Sequence, residues 1–131
     1  MHILSKFAGL VIAAAALGGC ASQLPIMNVD AAATTNAAGK TLTNDQVRAA
    51  IIRAGAALGW QMKDEGSNKV VGTLILRTHT AVVEIPYNTT SYSIKYRSSI
   101  NLDEKGGTIH KNYNGWISNL TKGINTQLSL S

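Results

Sequence analysis

The chain has 131 residues, which suits one domain, with 45% hydrophobic and 15% charged residues and a formal net charge of +5. There is no basic cluster of the kind that tracks a phosphate backbone, so nucleic acid is not an expected partner. A single cysteine, Cys20, rules out an internal disulfide framework.

The first twenty residues fall into three zones. His2 and Lys6 form a short positive start, Phe7 to Leu17 is apolar, and Leu17-Gly18-Gly19-Cys20 follows. The apolar run is far shorter than the ~20 residues that a membrane-spanning helix needs, and its flanks are those of a signal peptide. Leu17-Gly18-Gly19-Cys20 resembles the lipobox of bacterial lipoproteins, an apolar residue and two small ones before an obligatory cysteine. The resemblance implies diacylglycerol transfer to the Cys20 sulfur, cleavage after Gly19 and acylation of the new amino group. Two or three acyl chains anchor stably where one binds only marginally. The partner implied is therefore a membrane, reached through lipid on Cys20. Ala21 and Ser22 follow the cysteine. By the sorting rules of enterobacterial lipoproteins, the lack of aspartate there implies the outer membrane, on the side facing the periplasm.

Residues 1–19 are thus expected to be a lipoprotein signal peptide, residues 20–43 a lipidated cysteine and flexible linker, and residues 44–131 the folded domain. The linker is rich in Ala, Thr, Asn and Gly. As a flexible chain its root-mean-square span is roughly 25–30 Å, enough to hold a domain clear of the headgroups. Within it, Pro25-Ile26-Met27-Asn28-Val29 reads as a short extended segment able to dock on that domain.

A helix is expected over about residues 44–58. Thr43 or Asn44 would cap it, Asp45 would sit in its first turn, and Val47, Ile51, Ala54 and Leu58 would form its apolar stripe. Gly55 inside it costs ~1 kcal/mol relative to alanine, and Gly59 suits its end. Trp60 and Met62 begin a short strand that stops at the Asp64–Asn68 turn cluster. Val70 to Leu76 is apolar on both faces and reads as a central strand. Ala81, Val83, Ile85 and Tyr87 then share one face of the next, and Tyr92, Ile94 and Tyr96 alternate with polar residues. After a polar loop, Ile109, Tyr113, Trp116, Ile117, Leu120 and Ile124 mark a second helix over about residues 110–126, with Asn112 as its expected cap. The connections are too short for parallel crossovers. The expected fold is α+β, a four-stranded antiparallel meander with two helices packed on one face, in the order α-β-β-β-β-α.

Leu58-Gly59-Trp60, Ile85-Pro86-Tyr87, Tyr92-Ser93-Ile94-Lys95-Tyr96, Ser99-Ile100-Asn101-Leu102 and the run Ile109 to Ile117 resemble a family of small proteobacterial lipoproteins with an N-terminal lipobox. The resemblance covers most of residues 44–125 and implies a compact α+β envelope domain with no assigned activity.

No catalytic pattern stands out. His79 and His110 lack metal-ligand spacing to any partner, Ser91, Ser93, Ser98 and Ser99 lie in no nucleophile motif, and the pairs Asp64-Glu65 and Asp103-Glu104 read as solvated turns. No cofactor or metal is expected, and the protein is expected not to be an enzyme. The candidate partner-binding face is the polar side of the sheet, with Lys95 and Arg97 on the last strand and Arg77 nearby. It suits an envelope protein or polymer or, as the alternative, an anionic lipid or glycan.

Overall fold

The computed structural model describes residues 22–131. Residues 1–19, expected to be a signal peptide, and Cys20 lie outside the described residues.

The first helix, α1 (Asn44–Ala57), starts at Thr43, whose hydroxyl accepts from the Gln46 amide while the Gln46 side chain accepts from the Thr43 amide, a reciprocal capping box. Asp45 occupies its first turn. The helix stops at Leu58, and Gly59 follows with φ +90°, a left-handed conformation that favours glycine. Four strands come next: β3 (Gln61–Asp64), β4 (Lys69–Leu76), β5 (His79–Pro86) and β6 (Ser91–Ile100). Each pairs antiparallel with its successor. The second helix, α2 (Lys111–Leu130), runs to the end of the chain. Its cap is His110, whose Nδ1 accepts from the Asn112 amide at 3.1 Å. Asn112 is therefore the donor at this end, not the expected cap.

The four-stranded sheet expected from the sequence is incorrect. A fifth strand, β2 (Val29–Ala33), pairs antiparallel with the far edge of β6, giving the order β2-β6-β5-β4-β3. Two further strands, β1 (Gln23–Pro25) and β7 (Thr108–His110), form a separate antiparallel pair. The element order is β-β-α-β-β-β-β-β-α. The physical reason is that these short strands are specified by their partners rather than by their own composition. Val29-Asp30-Ala31-Ala32-Ala33 has almost no β-branched content, and its register shifts between Val29 and Ala32, where Ala31 takes φ +50°.

The segment read as a linker is consequently part of the domain. Thr34 is fully buried, and its hydroxyl donates to the Thr89 carbonyl at 2.7 Å. Asn36 donates to the Ser131 carbonyl at 3.1 Å, and Leu42 joins the core.

One core lies between the helices and one face of the large sheet. Val47, Ile51 and Ala54 of α1 and Tyr113, Ile117, Leu120, Ile124 and Leu128 of α2 meet Val70, Leu74, Val83, Ile85, Tyr92 and Ile94. The two helices are antiparallel neighbours: Arg53 donates to Gln127 at 3.2 Å, and Gly123 lies against Leu58 and Ala54. The end of α1 therefore lies beside the middle of α2, where Leu58 meets Trp116, Asn119 and Gly123, and the start of α2 extends beyond it.

The glycine that counts against α1 has a packing role. A Cβ on Gly55 would collide with the Met62 side chain, so the glycine lets β3 approach the helix. Gly72, opposite Met62 in the β4 register, closes the same contact. A Cβ there would meet the Met62 sulfur at 3.0 Å, the Trp60 ring at 3.3 Å and Val83 at 3.4 Å. Gly72→Val is therefore expected to destabilise the domain by about 1–3 kcal/mol through overpacking, read as a lower midpoint in thermal or urea unfolding. An unchanged midpoint would mean that Met62 and Trp60 yield freely.

Candidate interaction surface

Strand alternation turns Val70, Gly72 and Leu74 inward and leaves Lys69, Val71, Thr73 and Ile75 on the outer face of the sheet. Across that face the register aligns Lys63, Val71, Glu84 and Lys95 in one row. The next row toward the β4–β5 hairpin holds Thr73, Val82 and Ser98, and the one after it Ile75, Thr80 and Ile100.

Arg97 occupies a bulge. Val82 opposes Ser98 and Val83 opposes Tyr96, which leaves Arg97 without an opposite residue. Its guanidinium reaches Glu84 at 3.6 Å and Glu65 at 3.9 Å, and Lys69 shares Glu84 at 3.6 Å. Exposed pairs of this kind contribute ~0–1 kcal/mol each, so their main effect is to hold Arg97 across the sheet. Lys95 remains exposed beside Glu84.

The structure thus brings Lys95 and Arg97 together and sets Arg77 apart. Arg77 sits in the β4–β5 turn with φ +59°, beyond the Leu76–His79 pair. Glu84, paired with Lys95, lies five positions beyond His79 along β5, roughly 17 Å at ~3.4 Å per residue. Arg77 belongs to the end of the sheet.

That end carries features the sequence reading missed. Ile75, Leu76 and Ile100 are 57%, 46% and 64% exposed, although Val70 to Leu76 is apolar on both faces and reads as a central strand. Ile100 points outward because the bulge at Arg97 shifts the alternation by one, which turns Ser99 inward onto the Tyr96 hydroxyl at 2.7 Å.

Both histidines among the described residues hold the backbone. His79 Nδ1 lies 2.7 Å from the Asn101 carbonyl, and His110 caps α2. Among the described residues no three His, Cys, Asp or Glu side chains are grouped to hold a metal ion. The concavities are open and shallow. One of about 310 Å³ lies between the helices, lined by Ala54, Leu58, Lys122 and Gly123 among others. On the opposite side of α1, Arg48 bridges Asp45 at 2.7 Å and Asp64 at 3.6 Å, tying the helix to the edge strand. The Tyr87 hydroxyl beside it, and then Asp45, which accepts from its guanidinium, raise its pKa.

No family model, no curated protein and no solved structure matches this chain. Among the described residues no helix is long and apolar enough to cross a membrane.

Proposed function

We propose that this chain is an exported lipoprotein, held through lipid on Cys20 at the outer membrane and facing the periplasm, whose domain serves as a non-enzymatic interaction module of the cell envelope. The observation that carries this reading is Leu17-Gly18-Gly19-Cys20 directly behind an apolar, positively flanked leader. The fold supplies a surface for the module. Helices cover one face of the sheet, and the other presents Lys95, Glu84 and Arg97 beside Val82 and Ile75. A protein or an envelope polymer is the partner.

Anchoring is tested by feeding expressing bacteria an alkyne-bearing palmitate analogue. The full chain should take up label, and Cys20→Ser should lose it and accumulate as the uncleaved precursor. Label retained in Cys20→Ser would overturn the anchor.

One observation favours an anionic lipid or glycan as the ligand. On β3 to β6 the outer face sets Lys63, Lys69, Lys95 and Arg97 against Glu65 and Glu84, an excess of positive charge. A photo-crosslinker in place of Lys95 separates the two readings, because a discrete protein adduct supports the interaction module and a lipid or glycan adduct supports this alternative.

A further inference from the structure

The described chain begins at one end of the domain. The Ser22 carbonyl accepts from the Lys111 amide at 2.9 Å, and Gln23 pairs with His110. The chain preceding β1 thus meets the body of the protein at the start of α2. From there, hydrogen bonds lead across the same end to the hairpin. The His110 amide donates to the Leu102 carbonyl at 2.9 Å, His79 contacts the Asn101 carbonyl, and the Asn101 amide group donates to Thr78 at 2.8 Å. Thr78 is the neighbour of Arg77.

Exposed apolar side chains gather at this end. Ile75 and Leu76 flank the hairpin, and Ile100 ends β6. Leu130 stands at the far end, beyond the 20 residues of α2, which extend about 30 Å. Arg77 and Lys111 are exposed at this end, and the loop after β6 carries Asp103, Glu104 and Lys105, also exposed. An apolar group rimmed by cations is the composition that enters an anionic lipid interface.

We infer that this end of the domain, carrying Ile75, Leu76, Arg77, Ile100 and Lys111, docks onto the anionic headgroup surface of the bilayer that holds the anchor. The inference rests on the lipid-anchor reading. Only Ala21 lies between Cys20 and Ser22, a reach of about 7 Å at full extension. A tether so short leaves no room for the domain to stand off. With Ser22 fixed at the start of α2, the hairpin end faces the lipid and the far end of α2 points into the aqueous space. The leucine and isoleucines insert among the acyl-chain carbonyls while Arg77 and Lys111 meet phosphates.

The test uses the full lipidated chain in vesicles of phosphatidylethanolamine and phosphatidylglycerol. Lipid occupies the thiol of Cys20, so Leu76→Cys, Ile100→Cys and Ser129→Cys each offer one site for a nitroxide label. Mass spectrometry first establishes the lipid on Cys20. Labels at 76 and 100 should relax more with membrane-dissolved oxygen than with a water-soluble nickel chelate, and the label at 129 should show the reverse. If all three labels favour the nickel chelate while the protein stays on the vesicles, the docking is wrong and the anchor stands. Labels at 76 and 100 shielded from both reagents would place a second protein copy there and also overturn it. An unmodified Cys20 removes the anchor and the orientation together.

Discussion

Deleting residues 22–34 is expected to destabilise the domain by roughly 3–5 kcal/mol, a large share of the ~5–15 kcal/mol available to a typical fold. Composition alone predicts no effect, since the segment reads as a tether. Three losses add up. Ile26, Val29 and Ala32 leave the core surface they pack against. The outer edge of β6 and the edge of β7 lose their strand partners. Thr34, fully buried against the turn after β5, no longer covers the Thr89 and Thr90 carbonyls. Urea unfolding followed by circular dichroism reads the result. An unchanged midpoint would mean that β1 and β2 only rest on the surface.

Two substitutions at one position should differ by about 3–6 kcal/mol. Tyr113 is fully buried at the start of α2, with its ring edge-on to Tyr96 at 5.7 Å between centroids. Tyr113→Ala leaves a ring-sized hole at the centre of the core and should cost about 3–5 kcal/mol. Tyr113→Phe keeps the ring. The hydroxyl it removes is buried without a hydrogen-bond partner, so the variant should be as stable as the parent or up to about 1 kcal/mol more so. A loss above about 2 kcal/mol in Tyr113→Phe would reveal a partner for that oxygen, since an unmade hydrogen bond cannot be missed by that much.

The same hydroxyl also shapes the response to alkali. Burial pushes the Tyr92 phenol up to about 12, and burial, with Tyr96 beside it, raises Tyr113 as well. The fold therefore favours the neutral phenols, whereas the unfolded chain ionises them near pH 10. This contribution is complete below pH 10 and is lost as pH rises from about 10 through the folded values. Between those limits Tyr113→Phe should lose stability less steeply than the parent.

Both helices were legible in the sequence because each carries an unbroken stripe, Val47-Ile51-Ala54 in α1 and Tyr113-Ile117-Leu120-Ile124 in α2. The strands β4, β5 and β6 announced themselves by alternation. The strands that were missed lack that signal. β1 contains Pro25, β2 is mostly alanine, and β7 is three residues long, so that Ile109 reads as the first turn of α2. Their state is decided by residues 58 to 87 positions away, from Ala33↔Ser91 to Gln23↔His110. On the surface, the adjacency of Lys95 and Glu84 follows from alternation. The bulge at Arg97 does not, because no residue type there demands one. The outward turn of Ile100 and the apolar character of the hairpin end were hidden with it.

The pairing of the first strands with the last ones governs the order in which this protein can mature. Met27 and Asn114, joined by a hydrogen bond, are 87 residues apart, and β1 meets β7 across a similar interval. Contacts of such separation form late, because closing the loop between them costs entropy before any pairing is gained. A chain emerging with its N-terminus first exposes β1 and β2 as bare edges until nearly all of it has appeared. Throughout that interval the backbone of Ser22 to Pro25 is free of the sheet, and completion of β7 then closes it off.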